Sequence, residues 1–289
     1  NPDLVLVQGD TTTAFVGSLA AFYNRVHVGH VEAGLRRGDR ANPFPEELNR
    51  RLADSLSDLM FAPTEGAKSN LLSENFPEKS IFVTGNTVVD ALLKIEDSIE
   101  KGEVDPDYPI DTGKFDGSRN KLLLVTTHRR ESLDGGIARI ARAVQQLSDK
   151  FSELEVVFPV HLNPKVRETV YDILAGRQRI NLVEPVDYMT FIGLMRLSDL
   201  IITDSGGIQE EAPSFGVPVL VAREKTERPE AVEAGTAKLV GTEIERIVSE
   251  TTKLLTDGAA YEGMAKRINP FGAGDASKKI VKVILDRFS

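Results

Sequence analysis

The sequence predicts an α/β protein built on parallel β-sheets. Short apolar runs of the kind found in fully buried strands recur along the chain, and polar turns and then apparent helices follow them. Alternation of strands and helices favours parallel sheets with right-handed crossovers. The alternation occurs in two series, separated by a charged segment rich in Gly, Pro and Asp over residues 100–120. We therefore expect two α/β domains that meet across a cleft.

The elements follow in order from these runs. The first series predicts four strands, with helices through Ala14–Tyr23 and Val88–Ile99, and an amphipathic helix is predicted over Ala276–Phe288. Ligands bind beyond the carboxyl ends of parallel strands, so the turns that follow the strands are the candidate functional segments. The predicted strands are Leu4–Val7, Val26–Val31, Leu59–Ala62 and Ser80–Thr84 in the first series, and Leu122–Thr126, Val156–Val160, Ile180–Val183, Leu200–Thr203 and Val219–Val221 in the second.

Composition narrows the range of partners. The net charge of −9 argues against a general nucleic-acid or anionic-membrane partner. The chain has no cysteine, which excludes disulfides, thiolate metal sites and a cysteine nucleophile. It shows no apolar run of about 18 residues and no signal peptide, so the cytoplasm is the simplest location. The histidines lack metal-ligand spacing, and we expect neither a metal nor a redox cofactor.

The segment Asp204–Pro213 is the most informative motif. It follows the strand Leu200–Thr203 and predicts a tight Ser205-Gly206-Gly207 turn, after which a helix begins. Such a turn points backbone N–H groups at an anion, and glycine lets a ligand approach the backbone closely. Glu210 and Glu211 would repel a phosphate unless they bind hydroxyls of the same ligand. A sugar nucleotide offers both kinds of group.

Acidic residues at three points in the first half are candidates for chemistry. Asp10 follows the first strand, where a helix cap and a functional carboxylate are both open interpretations. Glu32 ends an apolar strand, and because a buried acid is costly, function is the favoured interpretation. Glu46 and Glu47 begin a helix after Pro45, one face of which Leu48, Leu52, Leu56 and Leu59 are expected to mark. Acids in a first turn suit the helix dipole, so the residues alone favour a structural role.

Two segments of the second half carry arginines that could bind an anion. His128-Arg129-Arg130 follows the strand Leu122–Thr126, and an anion site and a solvated basic turn are both open interpretations there. Arg228, in the segment Thr226–Glu230, is one possible anion ligand in a charged loop. Gly272-Ala-Gly274 lacks the dinucleotide fingerprint and follows no strand, so we reject nicotinamide binding there.

Taken together, these motifs resemble the non-hydrolysing branch of the UDP-N-acetylglucosamine 2-epimerase family. Each motif is modest alone, but eight in order through nearly the whole chain are highly specific. They are Gln8-Gly-Asp-Thr-Thr-Thr13, His30-Val-Glu-Ala-Gly-Leu-Arg36, Pro43-Phe-Pro-Glu-Glu-Leu-Asn-Arg50, Gly85-Asn-Thr-Val-Val-Asp90, Thr127-His-Arg-Arg-Glu-Ser132, Pro159-Val-His-Leu-Asn-Pro164, Asp204-Ser-Gly-Gly-Ile-Gln-Glu-Glu-Ala-Pro213 and Thr226-Glu-Arg-Pro-Glu230.

The resemblance implies the glycosyltransferase-B architecture, with two Rossmann-like domains around a cleft. Residues 1–100 with the helix 276–289 would form the N-terminal domain, and residues 101–275 the UDP-binding domain. The family opens with a basic segment on its first strand, and this chain begins after that point. We expect that segment to be missing, which would leave the N-terminal sheet incomplete.

The resemblance also implies a reaction and a set of roles. The family interconverts UDP-N-acetylglucosamine and UDP-N-acetylmannosamine by anti elimination of UDP, a 2-acetamidoglucal intermediate and re-addition. Asp10, Glu32 and Glu46 match its proton-transfer carboxylates, and His128 its histidine near the diphosphate. A homodimer is implied. The matching ligand contacts are phosphate oxygens at Ser205, Gly206 and Gly207, ribose hydroxyls at Glu211, a positive contact at Arg228 and the uracil pocket at Phe191, although the sequence alone favours a core position for Phe191.

Three alternatives remain. A hydrolysing epimerase would release N-acetylmannosamine and UDP, a glycosyltransferase would share the architecture, and a non-catalytic UDP-sugar-binding fragment would share the site. The Thr127-His-Arg-Arg-Glu131 segment resembles the non-hydrolysing branch, which favours epimerisation.

Overall fold

The computed structural model describes residues 2–41, 43–115, 120–127 and 135–288. Within them the chain alternates between strands and helices. The strands are β1 (Leu4–Gln8), β2 (His27–Val31), β3 (Leu59–Ala62), β4 (Ile81–Val83), β5 (Lys121–Thr126), β6 (Leu154–Pro159), β7 (Ile180–Val183), β8 (Leu200–Thr203), β9 (Val219–Val221) and β10 (Ala237–Leu239). The helices are α1 (Thr12–Tyr23), α2 (Glu46–Leu56), α3 (Glu65–Ser73), α4 (Thr87–Glu100), α5 (Gly136–Lys150), α6 (Pro164–Leu174), α7 (Tyr188–Leu197), α8 (Gly206–Glu211), α9 (Pro229–Glu233), α10 (Ile244–Thr256), α11 (Gly258–Ala265) and α12 (Ala276–Phe288).

The chain divides into two compact units. Unit 1 comprises residues 1–91 and 270–289, and unit 2 comprises residues 92–269. Each unit contains a parallel sheet, in the order β1-β2-β3-β4 in unit 1 and β10-β9-β8-β5-β6-β7 in unit 2. The predicted α/β class with parallel sheets is confirmed. The boundaries predicted for folding domains, at residues 100 and 276, stay a prediction.

Unit 1 is completed by its last helix. The two carboxylate oxygens of Asp90 accept hydrogen bonds from the first backbone N–H groups of α12, Ala276 at 3.1 Å and Ser277 at 2.8 Å. The N–H of Asn86 donates to the Phe271 carbonyl at 2.7 Å. Ile280 of α12 then joins the apolar cluster on one face of the sheet, which includes Val31, Leu59 and Phe61. Helix α12 thus contributes to the apolar core of unit 1.

Unit 2 has the larger core. Its central strands β5, β6 and β8 are buried along most of their length, as expected for parallel strands covered on both faces. The core includes Leu123, Val125, Val156, Phe158 and Ile202, with α5 packed against them. Removing apolar surface from water contributes about 25 cal/mol per Å² to the free energy of folding, so these buried strands are the main source of the unit's stability.

Helix α2 departs from the expected helical pattern. Leu48 and Leu52, predicted to mark one face with Leu56 and Leu59, are 43% and 37% exposed. The buried face of the helix instead carries Glu47, Asn49, Arg50, Ala53 and Asp54. The apolar periodicity was misleading because this helix packs polar groups against the turn after β1, where ion pairs and hydrogen bonds replace apolar contacts. Strand β10 was also missed, since its short Ala-Lys-Leu run gives little signal.

Candidate functional site

Asp10 is held in place by two side chains of α2. Thr11, and not Asp10, caps α1, because its hydroxyl accepts from the N–H of Ala14 at 3.1 Å. The cap interpretation of Asp10 is therefore wrong. The Arg50 guanidinium donates to the Asp10 carboxylate, and the Asn49 amide donates to the Asp10 backbone carbonyl at 3.0 Å. Both the position of the backbone and the direction of the carboxylate are fixed.

Glu47 anchors the arginine that holds Asp10. Its carboxylate is fully buried and accepts from Arg50 Nη1 at 3.1 Å. It also accepts from the backbone N–H groups of Arg37 at 3.2 Å and Gly38 at 3.3 Å. A buried charge is tolerated only when it is paired and hydrogen-bonded, and Glu47 meets both conditions. Arg50 therefore bridges two carboxylates, one fully buried and one partly open to solvent.

Glu32 has an uncommon backbone conformation for a residue with a side chain. Its φ is +70°, in the left-handed region that favours glycine. The amide nitrogen of Gln8 donates to its carboxylate at 2.9 Å, and a Cβ placed on Gly9 would lie 3.6 Å from its Oε2 atom. The turn after β2 thus directs the Glu32 carboxylate to the turn after β1. A conformation that costs about 1–3 kcal/mol suggests a functional reason for keeping it.

Glu46 is the first residue of α2. It lies one turn before Asn49 and Arg50, at spacings of three and four residues, so all three share one face of the helix. That face contacts Asp10. Within the described residues, the Glu46 side chain makes no hydrogen bond or ion pair. Asp10 and Glu32 therefore lie at the carboxyl-end edge of the unit 1 sheet, and Glu46 lies on the face of α2 that contacts Asp10.

A buried network lies under the same turn. His30 is fully buried, with Nε2 at 2.8 Å from the Gly9 carbonyl and Nδ1 at 2.6 Å from Asp54 Oδ1. Arg36 donates to Asp54 Oδ2 at 2.7 Å and to both oxygens of Glu74, at 2.8 and 2.7 Å. The hydrogen bond and charge of Arg36 lower the pKa of Glu74, against the effect of burial. Sequence reasoning used His30 and Arg36 only as parts of a motif and overlooked Asp54.

In unit 2 the strand order reverses next to β5. The chain proceeds from β5 to β6 and β7 on one side and then returns to place β8 on the other side. Such a reversal creates the crevice in which open α/β sheets bind ligands. At that point the hydroxyls of Thr126 and Thr203 lie 2.7 Å apart, and Thr203 Oγ1 accepts from the N–H of Ser205. The Ser205-Gly206-Gly207 turn therefore starts at the switch point of its sheet.

The turn is tied to the loop that carries Arg228. Gln209 donates to the Ser205 carbonyl at 2.8 Å and accepts from the Thr226 hydroxyl at 2.7 Å. Gly207 is exposed, and a Cβ built on it would meet only Ser205 Oγ, at 3.9 Å. The first N–H groups of a helix have no acceptor within it, so those of α8 are available to an anion. The predicted strand–turn–helix at residues 200–211 is present.

The two acids after this turn are stabilised differently. Glu210 forms an ion pair with Arg228. Glu211 accepts a hydrogen bond from the Tyr188 hydroxyl at 3.2 Å. Burial raises the pKa of Glu211 to about 7, with a lowering contribution from Tyr188 and a raising one from the Glu210 charge. Burial and the Glu211 charge also raise the pKa of Tyr188, which keeps it a hydrogen-bond donor. Arg228 thus neutralises Glu210, the acid that follows the Ser205-Gly206-Gly207 turn. A direct contact of Arg228 with a ligand stays a prediction.

Two further predicted residues belong to unit 2. Phe191 is half-buried on α7, three residues after Tyr188 and so on the same helical face, and it is not part of the fully buried core. His128 lies outside the described residues. Tyr188 was missed by sequence reasoning, because nothing in a helix-start tyrosine indicates that it reaches an acid 23 residues later.

Among the described residues, no group of three or more histidine and acidic side chains is arranged to hold a metal ion. Every described helix falls short of the length and hydropathy that crossing a membrane requires.

Parallel sheets whose carboxyl-end turns carry polar and glycine residues are typical of the nucleotide-binding class of α/β proteins. A family model described as UDP-N-acetylglucosamine 2-epimerase matches residues 1–285. A UDP-N-acetylglucosamine 2-epimerase of Yersinia pestis is 52% identical over 286 residues, which are 98% of this chain and 75% of that protein. The chain belongs to the UDP-N-acetylglucosamine 2-epimerase family, which confirms the resemblance seen in its motifs.

Solved structures agree with this assignment. The UDP-GlcNAc 2-epimerase of Neisseria meningitidis, bound to UDP-GlcNAc, is 48% identical with a TM-score of 0.88, over 99% of this chain and 76% of that one. The S. aureus MnaA–UDP structure is also 48% identical with a TM-score of 0.88, over 99% of this chain and 74% of that one. The fold is therefore shared with proteins that bind UDP or a UDP-sugar.

Proposed function

We propose that the protein interconverts UDP-N-acetylglucosamine and UDP-N-acetylmannosamine by epimerisation at C2. The observation that carries the proposal is the group of carboxylates at the carboxyl-end edge of the unit 1 sheet and on the face of α2 that contacts Asp10, with Asp10 clamped by Arg50 and Asn49. Inverting a carbon centre requires proton removal from one face and delivery to the other, so more than one acid–base group is needed. Asp10, Glu32 and Glu46 supply that number.

The proposed reaction proceeds in two balanced steps. A carboxylate takes the C2 proton while the bond from C1 to the diphosphate oxygen breaks, which gives UDP and 2-acetamidoglucal. The same diphosphate oxygen then bonds to C1 again, while a carboxyl group delivers a proton to the opposite face of C2. Asp10, Glu32 and Glu46 share these two proton transfers.

The proposed UDP site is the Ser205-Gly206-Gly207 turn and its surroundings. Backbone N–H groups of the turn hold phosphate oxygens and stabilise the departing diphosphate. Glu211 accepts hydrogen bonds from the ribose hydroxyls, and Phe191 lines the uracil pocket. His128, assigned from the motif, donates to the leaving oxygen. The pairing of Glu210 with Arg228 supports this proposal, because it removes the negative charge that would repel a phosphate.

A proton NMR time course in heavy water tests the proposal. The protein is incubated with UDP-N-acetylglucosamine, and we expect deuterium at C2 of both UDP-sugars, with UDP remaining substoichiometric. Stoichiometric release of free UDP would indicate a hydrolysing epimerase instead. An intact protein that binds UDP but incorporates no deuterium at C2 would contradict epimerisation and favour the binding-protein alternative.

A further inference from the structure

His30 is a buried side chain that the proposed proton transfers do not use. Its ring is fully buried on β2, and Nε2 lies 2.8 Å from the backbone carbonyl of Gly9. A carbonyl oxygen can only accept, so Nε2 carries the proton and donates it. Nδ1 lies 2.6 Å from Oδ1 of Asp54, with which it shares a second hydrogen bond. Both ring nitrogens are therefore engaged.

The partner that orients His30 is itself immobilised. Asp54 is fully buried and accepts from Arg36 Nη2 at 2.7 Å. Arg36 is held in turn by both oxygens of Glu74. Because the two hydrogen bonds of the ring lie wholly or partly within the protein interior, turning the imidazole would break contacts that water cannot readily replace. The network fixes the direction in which Nε2 donates.

The accepting carbonyl belongs to the peptide that leads into Asp10. Gly9 has a φ of +74°, and its N–H donates to the Val31 carbonyl at 3.0 Å. Glycine gives this peptide a wide choice of conformations, so the direction of its carbonyl depends on the groups that bind it. Asn49 and Arg50 fix Asp10 itself, and His30 fixes the peptide before it.

We propose that His30 is a positioning residue, whose hydrogen bond to the Gly9 carbonyl sets the direction of the Asp10 carboxylate at the substrate C2 proton. This role rests on the proposed function, since it assumes that Asp10 transfers a proton. Misplacing a reacting group by about 1 Å can cost on the order of 100-fold in rate. His30 therefore affects the chemical step without touching the substrate.

Two substitutions separate the two hydrogen bonds of the ring. In His30→Gln the side-chain amide nitrogen reaches the place of Nε2 and can still donate to Gly9. In His30→Asn the amide reaches only the place of Nδ1, so the Gly9 carbonyl loses its donor. His27→Asn is the matched control, because His27 lies on the same strand and pairs with Asp58 at 3.2 Å, but at the amino end of the strand and half exposed.

The experiment measures kcat, KM, the isotope effect of C2-deuterated substrate, UDP affinity by calorimetry and the thermal unfolding midpoint. We expect His30→Asn to lower kcat at least about tenfold and to raise the isotope effect, with KM and UDP affinity within about twofold. His30→Gln should stay within about threefold of the unaltered protein in kcat, and His27→Asn within about twofold. A residue with a merely structural role would change the unfolding midpoint but not the isotope effect.

The remaining outcomes test the proposed function and the role of His30 separately. If the unaltered protein shows no exchange at C2, the proposed function fails, and the role of His30 with it. If the unaltered protein and His30→Asn exchange alike, the role of His30 fails alone. If His30→Asn does not fold, His30→Gln decides: an unchanged kcat and isotope effect support the role, and a tenfold lower kcat at unchanged UDP affinity overturns it.

Discussion

The acids of unit 1 and those of unit 2 are stabilised by different partners. In unit 1, Asp10 and Glu47 share the guanidinium of Arg50, and Asp54 and Glu74 share that of Arg36. In unit 2, Glu210 pairs with Arg228, whereas Glu211 accepts a hydrogen bond from the neutral hydroxyl of Tyr188.

The difference matches the two tasks that we propose. A group that transfers a proton must be aimed accurately, and ion pairs with buried arginines fix its direction. A group that accepts hydroxyl donors must remain open to the ligand, and a nearby arginine would compete for it. We therefore expect substitutions of the unit 1 acids to lower the rate of C2 exchange strongly. Substitution of Glu211 should lower UDP-sugar affinity moderately and in a pH-dependent way.

Replacement of Asp10 should have the largest effect. We expect Asp10→Asn to reduce C2 deuterium incorporation about 100- to 10,000-fold, because an amide cannot exchange a proton as a carboxylate does. UDP affinity should change less than about threefold. The measurement is NMR exchange together with calorimetry of UDP binding. Asp58→Asn, at the amino end of β3, is the matched control and should retain activity. Normal exchange in Asp10→Asn would remove Asp10 from the mechanism.

Loss of Arg50 should affect stability as well as rate. Arg50→Met removes the nearer of the two arginines that pair with the buried Glu47, at 3.1 Å against 3.7 Å for Arg51, and we expect about 3 kcal/mol of destabilisation in urea unfolding. Adding Glu47→Gln should recover part of that loss, since the buried charge is then removed. Arg51→Met should cost less than about 1 kcal/mol, because Arg51 is 38% exposed and its contact with the same Glu47 carboxylate is longer, at 3.7 Å. Equal losses in the free energy of unfolding for Arg50→Met and Arg51→Met would contradict the special role of Arg50 between Asp10 and Glu47.

Removal of the Glu211 charge should weaken UDP-sugar binding by a smaller factor. Hydrogen bonds to a charged acceptor contribute about 1.5–3 kcal/mol, so Glu211→Gln should lose about 10- to 100-fold in affinity at about pH 8. Because burial raises the pKa of Glu211 to about 7, affinity in the unaltered protein should rise as pH increases through 7 and then level off. Calorimetry with a UDP-sugar, whose diphosphate does not titrate in this range, checks both points. A flat profile in the unaltered protein would contradict the assignment.

The same raised pKa has a consequence for stability. The folded protein binds more protons at Glu211 than the unfolded chain does in the interval between its ordinary value of 4.5 and about 7. The contribution of this group to the free energy of unfolding therefore falls as pH rises through that interval. Glu211→Gln should abolish this component while leaving the rest of the pH profile in place.

Tyr188→Phe should have the smallest effect on UDP-sugar affinity, and it isolates the contribution of one hydrogen bond to the pKa of Glu211. The Tyr188 hydrogen bond lowers the pKa of Glu211, so its loss should move the midpoint of the binding profile to higher pH. At about pH 8 we expect an affinity loss of only about threefold, consistent with one hydrogen bond to a partly exposed donor. Tyr171→Phe, on α6, is a control with no expected shift. A midpoint that stays fixed would mean that Tyr188 does not act on Glu211.

Much of the fold was accessible from the sequence because its strands are short apolar runs with distinct turns. The limits of β3, β7, β8 and β9 agree with the predicted runs. Helix α2 was misjudged, since its buried face is held by ion pairs and periodicity detects only apolar faces. The same reason explains why Arg50, Asp54 and Tyr188 were missed. Their importance depends on partners 18 to 40 residues away, which no local pattern encodes.

The hydrogen bonds between Asp90 and the start of α12 affect how the chain folds during its synthesis. The two partners are 186 residues apart, so at roughly 5–20 residues per second a ribosome delivers α12 about 10–40 seconds after Asp90. During that interval unit 2, which is continuous in sequence, can fold, whereas the apolar face of the unit 1 sheet waits without Ile280. Unit 1 therefore obtains α12 only after unit 2 has been made, and the sheet face that Ile280 covers is exposed to aggregation during that interval.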